Sequence, residues 1–416
     1  MRNQTDHLSI ASSDTRSLLL RAATTEFNEH GITSRTFANV AERVGLTRSS
    51  AYHYFEDNED LLAACYDATC RFLKQCIQEA LAQETSALGV LERFIELALA
   101  DEAPEVAALK EVPYLKPDHR NRITKLYNEV VALIADCLGQ AKEQGIVRDV
   151  DPVLTARTLL GLVNWPALGQ RWNPDMSAFD GKDFADTAKD LLINGALKSG
   201  RESFSFTGKP LQPQSMLAAD VFDADILMAA KKEALLAQGS WLFNQQGFDA
   251  AALGEIGQHF GVSKAVVYHN VGKRDAFIAA CYRRAFDMFL RVAERMGDAS
   301  TPPVAIAEAL YTVTHAYLTP SLAPLAPTVG LYSLSSDVQE DLSTAAARLY
   351  MAYDTVMKKG IEQGLIREGN VEMRVMMLPG LFEWVPQWHH HNSEDERRHI
   401  ANQIASLWAL GIKAIE

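Results

Sequence analysis

Little in this chain of 416 residues points to a cross-linked, membrane-borne or strongly basic protein. Cysteine is scarce: Cys65, Cys70, Cys76, Cys137 and Cys281 are all there is, and no two form a C-x-x-C pair. That argues against a disulfide framework and against a cysteine-based zinc site. No apolar run reaches the roughly 18 residues needed to cross a bilayer. The opening residues Met1 to His7 are polar and carry no hydrophobic leader, so a cytoplasmic location is expected. Positive charge is not in excess, with 40 Lys and Arg against 53 Asp and Glu and a net charge of −13. A polybasic nucleic-acid coat is therefore excluded, while a local basic patch still suffices for DNA contact. There is no phosphate-binding P-loop, no G-x-G-x-x-G after a strand and no G-x-S-x-G elbow. Scattered Ser, His and Asp residues assemble no catalytic constellation, so neither an enzyme nor a cofactor is expected.

What the chain does have is an internal repeat. Gly45-Leu46-Thr47-Arg48-Ser49-Ser50-Ala51-Tyr52-His53 returns as Gly261-Val262-Ser263-Lys264-Ala265-Val266-Val267-Tyr268-His269, displaced by 216 residues. The same displacement carries Phe27-Asn28 onto Phe243-Asn244, Gly31 onto Gly247, and Ala63-Ala64-Cys65-Tyr66 onto Ala279-Ala280-Cys281-Tyr282. Ten of the 40 positions from 27 to 66 are identical to their counterparts. Further on, Glu143-Gln144-Gly145 returns as Glu362-Gln363-Gly364, and Gly161-Leu162-Val163-Asn164-Trp165 as Gly380-Leu381-Phe382-Glu383-Trp384, both at 219. Gly195 pairs with Gly411. A unit of about 200 residues is of domain size, not a solenoid repeat.

Apolar residues fall three and four apart over 61–81, 122–142, 274–295 and 343–361, and strand-like alternation is rare. The expected class is all-α. Residues 200–222 hold two Pro, two Gly and several polar residues and read as a linker, with Phe204, Phe206 and Leu211 to lay it along a surface. The expected domains are a first head at 1–60, a first regulatory domain at 61–199, the linker at 200–222, a second head at 223–276 and a second regulatory domain at 277–416.

Within the first head, Leu18, Leu19, Ala22, Ala23 and Phe27 stripe one helix that stops at Gly31. Thr36 is expected to cap a second helix that points Phe37, Val40, Ala41 and Val44 inward and ends at Gly45. Thr47 caps a short third helix from Arg48 to Tyr54, and Asp57, paired with Asp60, caps a fourth. Two helices joined by a tight glycine turn make a helix-turn-helix. The third helix exposes Arg48, Ser49, Ser50 and His53 and buries Ala51 and Phe55, a donor face that fits the major groove. On these residues, and on Asn58-Glu59-Asp60-Leu61-Leu62 after them, the chain resembles the TetR family of bacterial transcriptional regulators. The resemblance covers about 50 residues. It implies a three-helix DNA-binding domain followed by a variable helical domain for ligand binding and dimerisation. It implies that Arg48 and Ser49 read base edges, that Ser50, Tyr52 and His53 contact phosphates and nearby bases, and that Thr36 and Thr47 belong to the same interface. Asn58 stands where the family usually has a phosphate-holding Lys, so that contact is weaker here.

The second head departs from the pattern. Ala252 replaces Thr36, Ala265 and Val266 replace Ser49 and Ser50, and Asn270-Val271-Gly272 replaces Tyr54-Phe55-Glu56. Ser263, Lys264, Ala265, Tyr268 and His269 still line the reading helix, and Arg274 supplies the phosphate-holding cation. Residues 230–282 hold five Lys and Arg against four acids, whereas 14–66 hold five Arg against eight acids. The second head is therefore expected to add phosphate affinity more than base reading.

Two heads in one chain predict an intramolecular pseudodimer on double-stranded DNA, in preference to a homodimer with four heads. Its bundle is expected from residues 150–172 and 181–199 with 369–388 and 394–414. The implied effector pocket draws candidates from Phe94, Tyr114, Tyr127, Trp165 and Trp172 in the first half, and from Tyr311, His315, Tyr317, Tyr332, Trp384 and Trp388 in the second. Their apolar, aromatic character favours a small hydrophobic effector: a fatty, aromatic or steroid-like acid, or its CoA thioester. His389, His390, His391 and His399 lack a carboxylate or Cys at a spacing that fixes metal geometry, so no metal is expected.

Overall fold

The computed structural model describes the chain except residues 1–2, 33–34, 171, 213–221, 247–249, 327–330, 332–333, 390–392 and 415–416, and except the side chains of 3–14, 174 and 250–253. Among the described residues every regular element is helical, with two isolated β-bridges. The first half runs α1 (Asn3–His30), α2 (Thr36–Arg43), α3 (Arg48–Ala51), α4 (Asn58–Gln83), α5 (Ala87–Leu99), α6 (Pro117–Glu143), α7 (Pro152–Gly169) and α8 (Gly181–Lys189). The second runs α9 (Ala224–Gln246), α10 (Ala250–His259), α11 (Lys264–Val271), α12 (Arg274–Glu294), α13 (Pro302–Tyr317), α14 (Ser336–Glu362), α15 (Val371–Met377), α16 (Val385–Trp388) and α17 (Glu394–Leu410). No described helix is long and apolar enough to cross a membrane.

The helices follow from spacing and caps. In α4, Asp57 accepts from the Asp60 N–H, and Leu61, Leu62, Cys65, Tyr66, Cys70, Leu73 and Ile77 form one buried stripe. In α12 the stripe is Phe277, Ile278, Cys281, Tyr282, Phe286 and Phe289. All five cysteines are free and buried, and burial pushes the thiols of Cys65, Cys70, Cys76 and Cys281 up to about 12. They act as small apolar residues.

Local bonding repeats between the halves. Asn28 donates to the Val106 carbonyl and accepts from the Ala108 N–H at 2.8 and 3.0 Å. Asn244 donates to the Pro324 carbonyl and accepts from the Ala326 N–H at 2.9 and 2.9 Å. The Cys65 thiol faces the Leu20 carbonyl and the Cys281 thiol the Leu236 carbonyl, each at 3.7 Å.

Between the halves the bonds are reciprocal. The Arg148 N–H donates to the Ile412 carbonyl at 2.9 Å, and its counterpart Arg367 N–H to the Ala196 carbonyl at 2.8 Å. Ala414 donates to Ile146 at 3.1 Å, and Lys198 to Leu365 at 2.9 Å. The two bridges, Val147 with Lys413 and Leu197 with Ile366, are counterparts too. Two glycine pairs meet their own counterparts. A Cβ on Gly161 would sit 2.3 Å from the Gly380 carbonyl oxygen, and one on Gly195 would sit 2.3 Å from the Gly411 nitrogen. Contacts in which residue i meets j′ while i′ meets j are those of a twofold-related interface. Other contacts across the seam are asymmetric; among them, Asp190 receives Arg367 at 2.5 Å and the buried Arg374 at 2.6 Å.

Two expectations need correction. The segment 369–388 is not one helix: Pro379 lacks an N–H, and at Gly380 the chain meets Gly161, so α15 gives way to a 3-10 turn at Leu378–Leu381 before α16. Thr36 does not cap α2, whose N-cap is Arg35; the Thr36 hydroxyl is buried and donates to the Gly31 carbonyl at 3.2 Å. The described part of the linker does pack, with Phe206 edge-on to Tyr311 and Gly208 against the Tyr311 ring.

Candidate functional site

The first head delivers α3 through the turn at Gly45, which has a φ of +71° that favours glycine. Thr47 caps α3, accepting from the Ser50 N–H at 3.1 Å and meeting the Ser50 hydroxyl at 2.8 Å. Ala51 and Phe55 are buried beneath it. Arg48, Ser49, Tyr52 and His53 are exposed, and Ser50 is half-buried. The Tyr52 ring stacks on Phe37 with centroids 4.3 Å apart, and its hydroxyl accepts from the Arg48 guanidinium at 2.9 Å. Arg48 is thus held on a rigid platform while its charge faces outward. Buried Thr36 has no exposed atom to offer this face, a further correction to the set of contact residues. Asn58 is half-buried at the start of α4.

In the second head Ser263 caps α11, accepting from the Val266 N–H at 3.4 Å. Lys264, Ala265, Val266 and His269 are exposed and Tyr268 is half-buried, with the Lys264 ammonium 5.8 Å from the Tyr268 ring centroid. This arginine-or-lysine-over-tyrosine pair is the same device as in the first head. Arg274, half exposed, opens α12 and pairs with Asp275 at 3.4 Å. The counterpart residue Ala252 lies where side chains are not described.

The acidic run Glu56 to Asp60 ties the first helix-turn-helix to the segment that opens α6. Buried Glu59 accepts from the Lys116 N–H and meets His119 Nδ1, both at 2.9 Å, and Lys116 Nζ reaches Asp57 at 3.1 Å. Hydrogen bonds and Lys116 hold the Asp57 carboxyl below its ordinary range against the opposing effect of burial. A nearby trio, Glu26, Glu29 and His30, has ligand atoms close enough for a metal. Arg43 pairs with both carboxylates and Asn39 donates to Glu26 at 2.7 Å, so both carboxylates are already engaged by protein groups. Of the four discounted histidines, His389 packs against Trp384, His399 lies 3.5 Å from Asp151, and His390 and His391 lie outside the described residues.

A cavity of about 360 Å³ opens in the second half, within the range of small-molecule sites. Its walls are Tyr282, Phe286 and Phe289 of α12, Ala346, Tyr350 and Tyr353 of α14, and Met376, Phe382 and Glu383 after them. Trp165, Gly169, Trp172 and Met176 of the first half close one side, with Trp172 tilted against Tyr282 and Phe286 at 5.8 and 5.4 Å.

The matching place in the first half is filled. There Tyr127 stacks on Trp388 at 4.4 Å with the Arg157 guanidinium 5.0 Å over the indole, leaving about 40 Å³. The counterparts of Tyr127, Trp388 and Arg157 are Ala346, Gly169 and Met376. Two aromatic rings exchanged for a methyl and a hydrogen account for the cavity in one half and its absence in the other.

The pocket candidates therefore divide. Trp165 and Trp172 line the large cavity, and Tyr127, Trp165, Trp384 and Trp388 the small one. Phe94 is core; Tyr311 packs on the linker; His315 bonds Glu394 at 3.2 Å; Tyr114 is exposed and Tyr332 lies outside the described residues. Phe94, Tyr311 and His315 have packing roles instead of wall positions, because α5 turns Phe94 into its own bundle while α13 turns Tyr311 toward the linker and His315 toward α17. Tyr282, Phe286, Phe289, Tyr350, Tyr353 and Glu383 are wall residues that the sequence reading misses. The signal available for them is the small-for-large exchange between the halves.

Glu383 sits where the two cavities approach each other. It is buried; Oε1 accepts from the Tyr317 hydroxyl at 2.9 Å, and Oε2 has no hydrogen-bond partner. Lys110 of the first half donates to the Glu383 main-chain carbonyl at 2.5 Å, not to its carboxylate. Burial pushes the Glu383 carboxyl up to about 7, with Lys110 and Tyr317 opposing, and draws Lys110 down to about 8. The described lining of the large cavity carries Asp175, Glu372 and Glu383 and no Lys, Arg or His. An acid effector would find no counter-charge among those described lining residues, a point that the apolar character weighed in the sequence does not address.

Comparison with known proteins finds likenesses to two family models, both in the first half of the chain. Residues 19–65 match bacterial regulatory proteins of the tetR family, and residues 89–196 match a tetracyclin repressor-like C-terminal domain. Over 75 residues the chain is 35% identical to the HTH-type transcriptional regulator BetI of Yersinia pestis (strain Pestoides F), covering 18% of this chain and 36% of that protein. The chain thus spans about a third of the length of the curated relatives it matches. Among solved structures, AibR in complex with isovaleryl coenzyme A and operator DNA is similar at 20% identity and a TM-score of 0.36, covering 42% of this chain and 96% of that chain. The TetR family transcriptional regulator PfmR from Thermus thermophilus is similar at 24% identity and a TM-score of 0.34, covering 42% of this chain and 95% of that chain.

Proposed function

We propose that the first half of this chain is a TetR-family unit, as the family models that match residues 19–65 and 89–196 support, and that the whole protein is a ligand-responsive DNA-binding transcriptional regulator acting as a repressor. The observation that carries this reading is the exposed donor face of α3, with Arg48 clamped on the Tyr52–Phe37 stack and presented by a capped glycine turn. A short capped helix bearing Arg, Ser and His suits the major groove. Thr47, Ser50 and Asn58 are the flanking contacts on the first head, and Ser263, Lys264, Ala265, Tyr268, His269 and Arg274 those on the second.

The second part of the proposal is an intramolecular pseudodimer with domain boundaries near residues 60, 199, 222 and 276. The reciprocal bonds across the seam support it, since a twofold relation between the regulatory domains carries over to the heads they bear. One chain then presents two unlike reading helices to grooves about 34 Å apart, on an operator whose half-sites differ. The covalent link keeps the second head at high effective concentration.

The large cavity is the effector site of the proposal. α12 has Arg274 as its first residue and Tyr282, Phe286 and Phe289 on the cavity wall. Eight residues of helix are about 12 Å, so a ligand that tilts α12 moves the base of the second head directly. Release from DNA is a population shift toward a head spacing that misfits the grooves.

Footprinting on DNA flanking the protein's own gene tests the function: one protected stretch holding two unlike half-sites is expected, and no protection at low salt would reject it. The second head has its own test. Lys264→Ala with Arg274→Ala is expected to reduce the slope of log K against log salt by about 2, one for each lost phosphate contact. An unchanged slope would remove that head from the interface. Light scattering should find single chains, and a stable species of two chains would favour four heads.

A further inference from the structure

The geometry points to the chemical class of the effector: we propose that the large cavity takes an organic cation, a quaternary or protonated amine carried on an aromatic or branched apolar body. This rests on the cavity being the effector site. Three observations converge on it. The walls carry eight aromatic residues, Trp172, Tyr282, Phe286 and Phe382 among them, and aromatic rings attract an alkylammonium through their quadrupoles. Every charged residue in the described lining is a carboxylate, Asp175 and Glu372 outside the core and Glu383 buried. Finally, Glu383 Oε2 is buried without a hydrogen-bond partner while its sister oxygen is satisfied by Tyr317.

An unpartnered carboxylate oxygen at a buried position is costly unless something compensates it. Lys110 offsets part of that cost, but its ammonium donates to the Glu383 main-chain carbonyl and leaves Oε2 without a hydrogen bond. A cation entering past the outer carboxylates and lodging against Glu383 supplies the missing charge, and rings around it exclude water. A carboxylate or phosphate ligand would meet acidic side chains and, among the described lining residues, no cation. The first half is closed to such a ligand, as Arg157 already occupies the aromatic stack of Tyr127 and Trp388.

The test uses the full chain and three probes of similar shape: benzyltrimethylammonium, its neutral carbon isostere neopentylbenzene, and 3-phenylpropanoate. Binding is read by calorimetry and by quenching of tryptophan fluorescence. The cation is expected to bind once per chain, at least about tenfold more tightly than the neutral isostere, with the anion weakest. Glu383→Gln should remove that tenfold preference and leave the neutral isostere unchanged. Asp175→Asn, outside the core, keeps the question open to test if the Gln variant folds poorly, and should lower cation affinity about threefold. Ala346→Tyr, which restores the ring found in the first half, should abolish binding of both cation and isostere. Equal or tighter binding of the isostere or the anion, blocked by Ala346→Tyr, would overturn the cation while leaving the effector site in place. No binding of any probe, or binding indifferent to Ala346→Tyr, would overturn both.

Discussion

Gly195→Ala is expected to cost about 3–5 kcal/mol of stability and to split a single unfolding transition into two. Gly195 has φ +70° and ψ 171°, a region that side chains avoid, and strain there costs about 1–3 kcal/mol. The added methyl would also lie 2.3 Å from the Gly411 nitrogen, 2.4 Å from the Leu410 carbonyl carbon and 2.6 Å from the Ala409 oxygen. These are backbone atoms of the opposite half, anchored by the paired bonds around Ile412 and Ala196, so they cannot yield one at a time. Gly45→Ala is the matched control. Its φ is +71° but a Cβ there meets nothing within 4 Å, so it bears the backbone strain alone, about 1 kcal/mol. Urea titrations of both variants separate the two terms. If Gly195→Ala costs no more than Gly45→Ala, the halves are not packed glycine to glycine.

That seam also marks how far the sequence can be read. The repeat, the all-helical class and the turn at Gly45 are legible because they are local: caps, positive-φ glycines and stripes at three and four. The helix expected over 369–388 breaks because apolar spacing continues through Leu378-Pro379-Gly380 while the backbone there must yield to Gly161. Thr36 has the look of a cap in sequence, yet its hydroxyl turns back to Gly31 instead of forward along α2. The cavity is least legible. Tyr127 against Ala346 and Trp388 against Gly169 are visible as mismatches between the halves, but only packing reveals that the two mismatches face each other across the seam. Glu383 and Lys110 are 273 positions apart, and no periodicity connects them.

Arg48→Ala is expected to weaken operator binding by about 10- to 100-fold and to relax base preference at one half-site only. A guanidinium that reads a guanine with two hydrogen bonds is worth about 1–3 kcal/mol of discrimination. Arg48 has the needed preorganisation: its Nη2 donates to the Tyr52 hydroxyl at 2.9 Å, and the Tyr52 ring is fixed by Phe37. Tyr52→Phe keeps the stack and removes that hydroxyl, so it should give a smaller loss of the same kind. The second head offers the contrast. Lys264 is a flexible point charge over Tyr268, flanked by Ala265 and Val266 where the first head has two serines. Lys264→Ala should therefore lower affinity almost uniformly across operator sequences and leave base preference intact. Selection of bound sequences from a randomised pool, run with each variant, distinguishes the two losses. A wild-type-like preference at both half-sites with Arg48→Ala would mean that α3 does not read bases. Equal relaxation at both half-sites would mean that two chains, not two heads of one chain, occupy the operator.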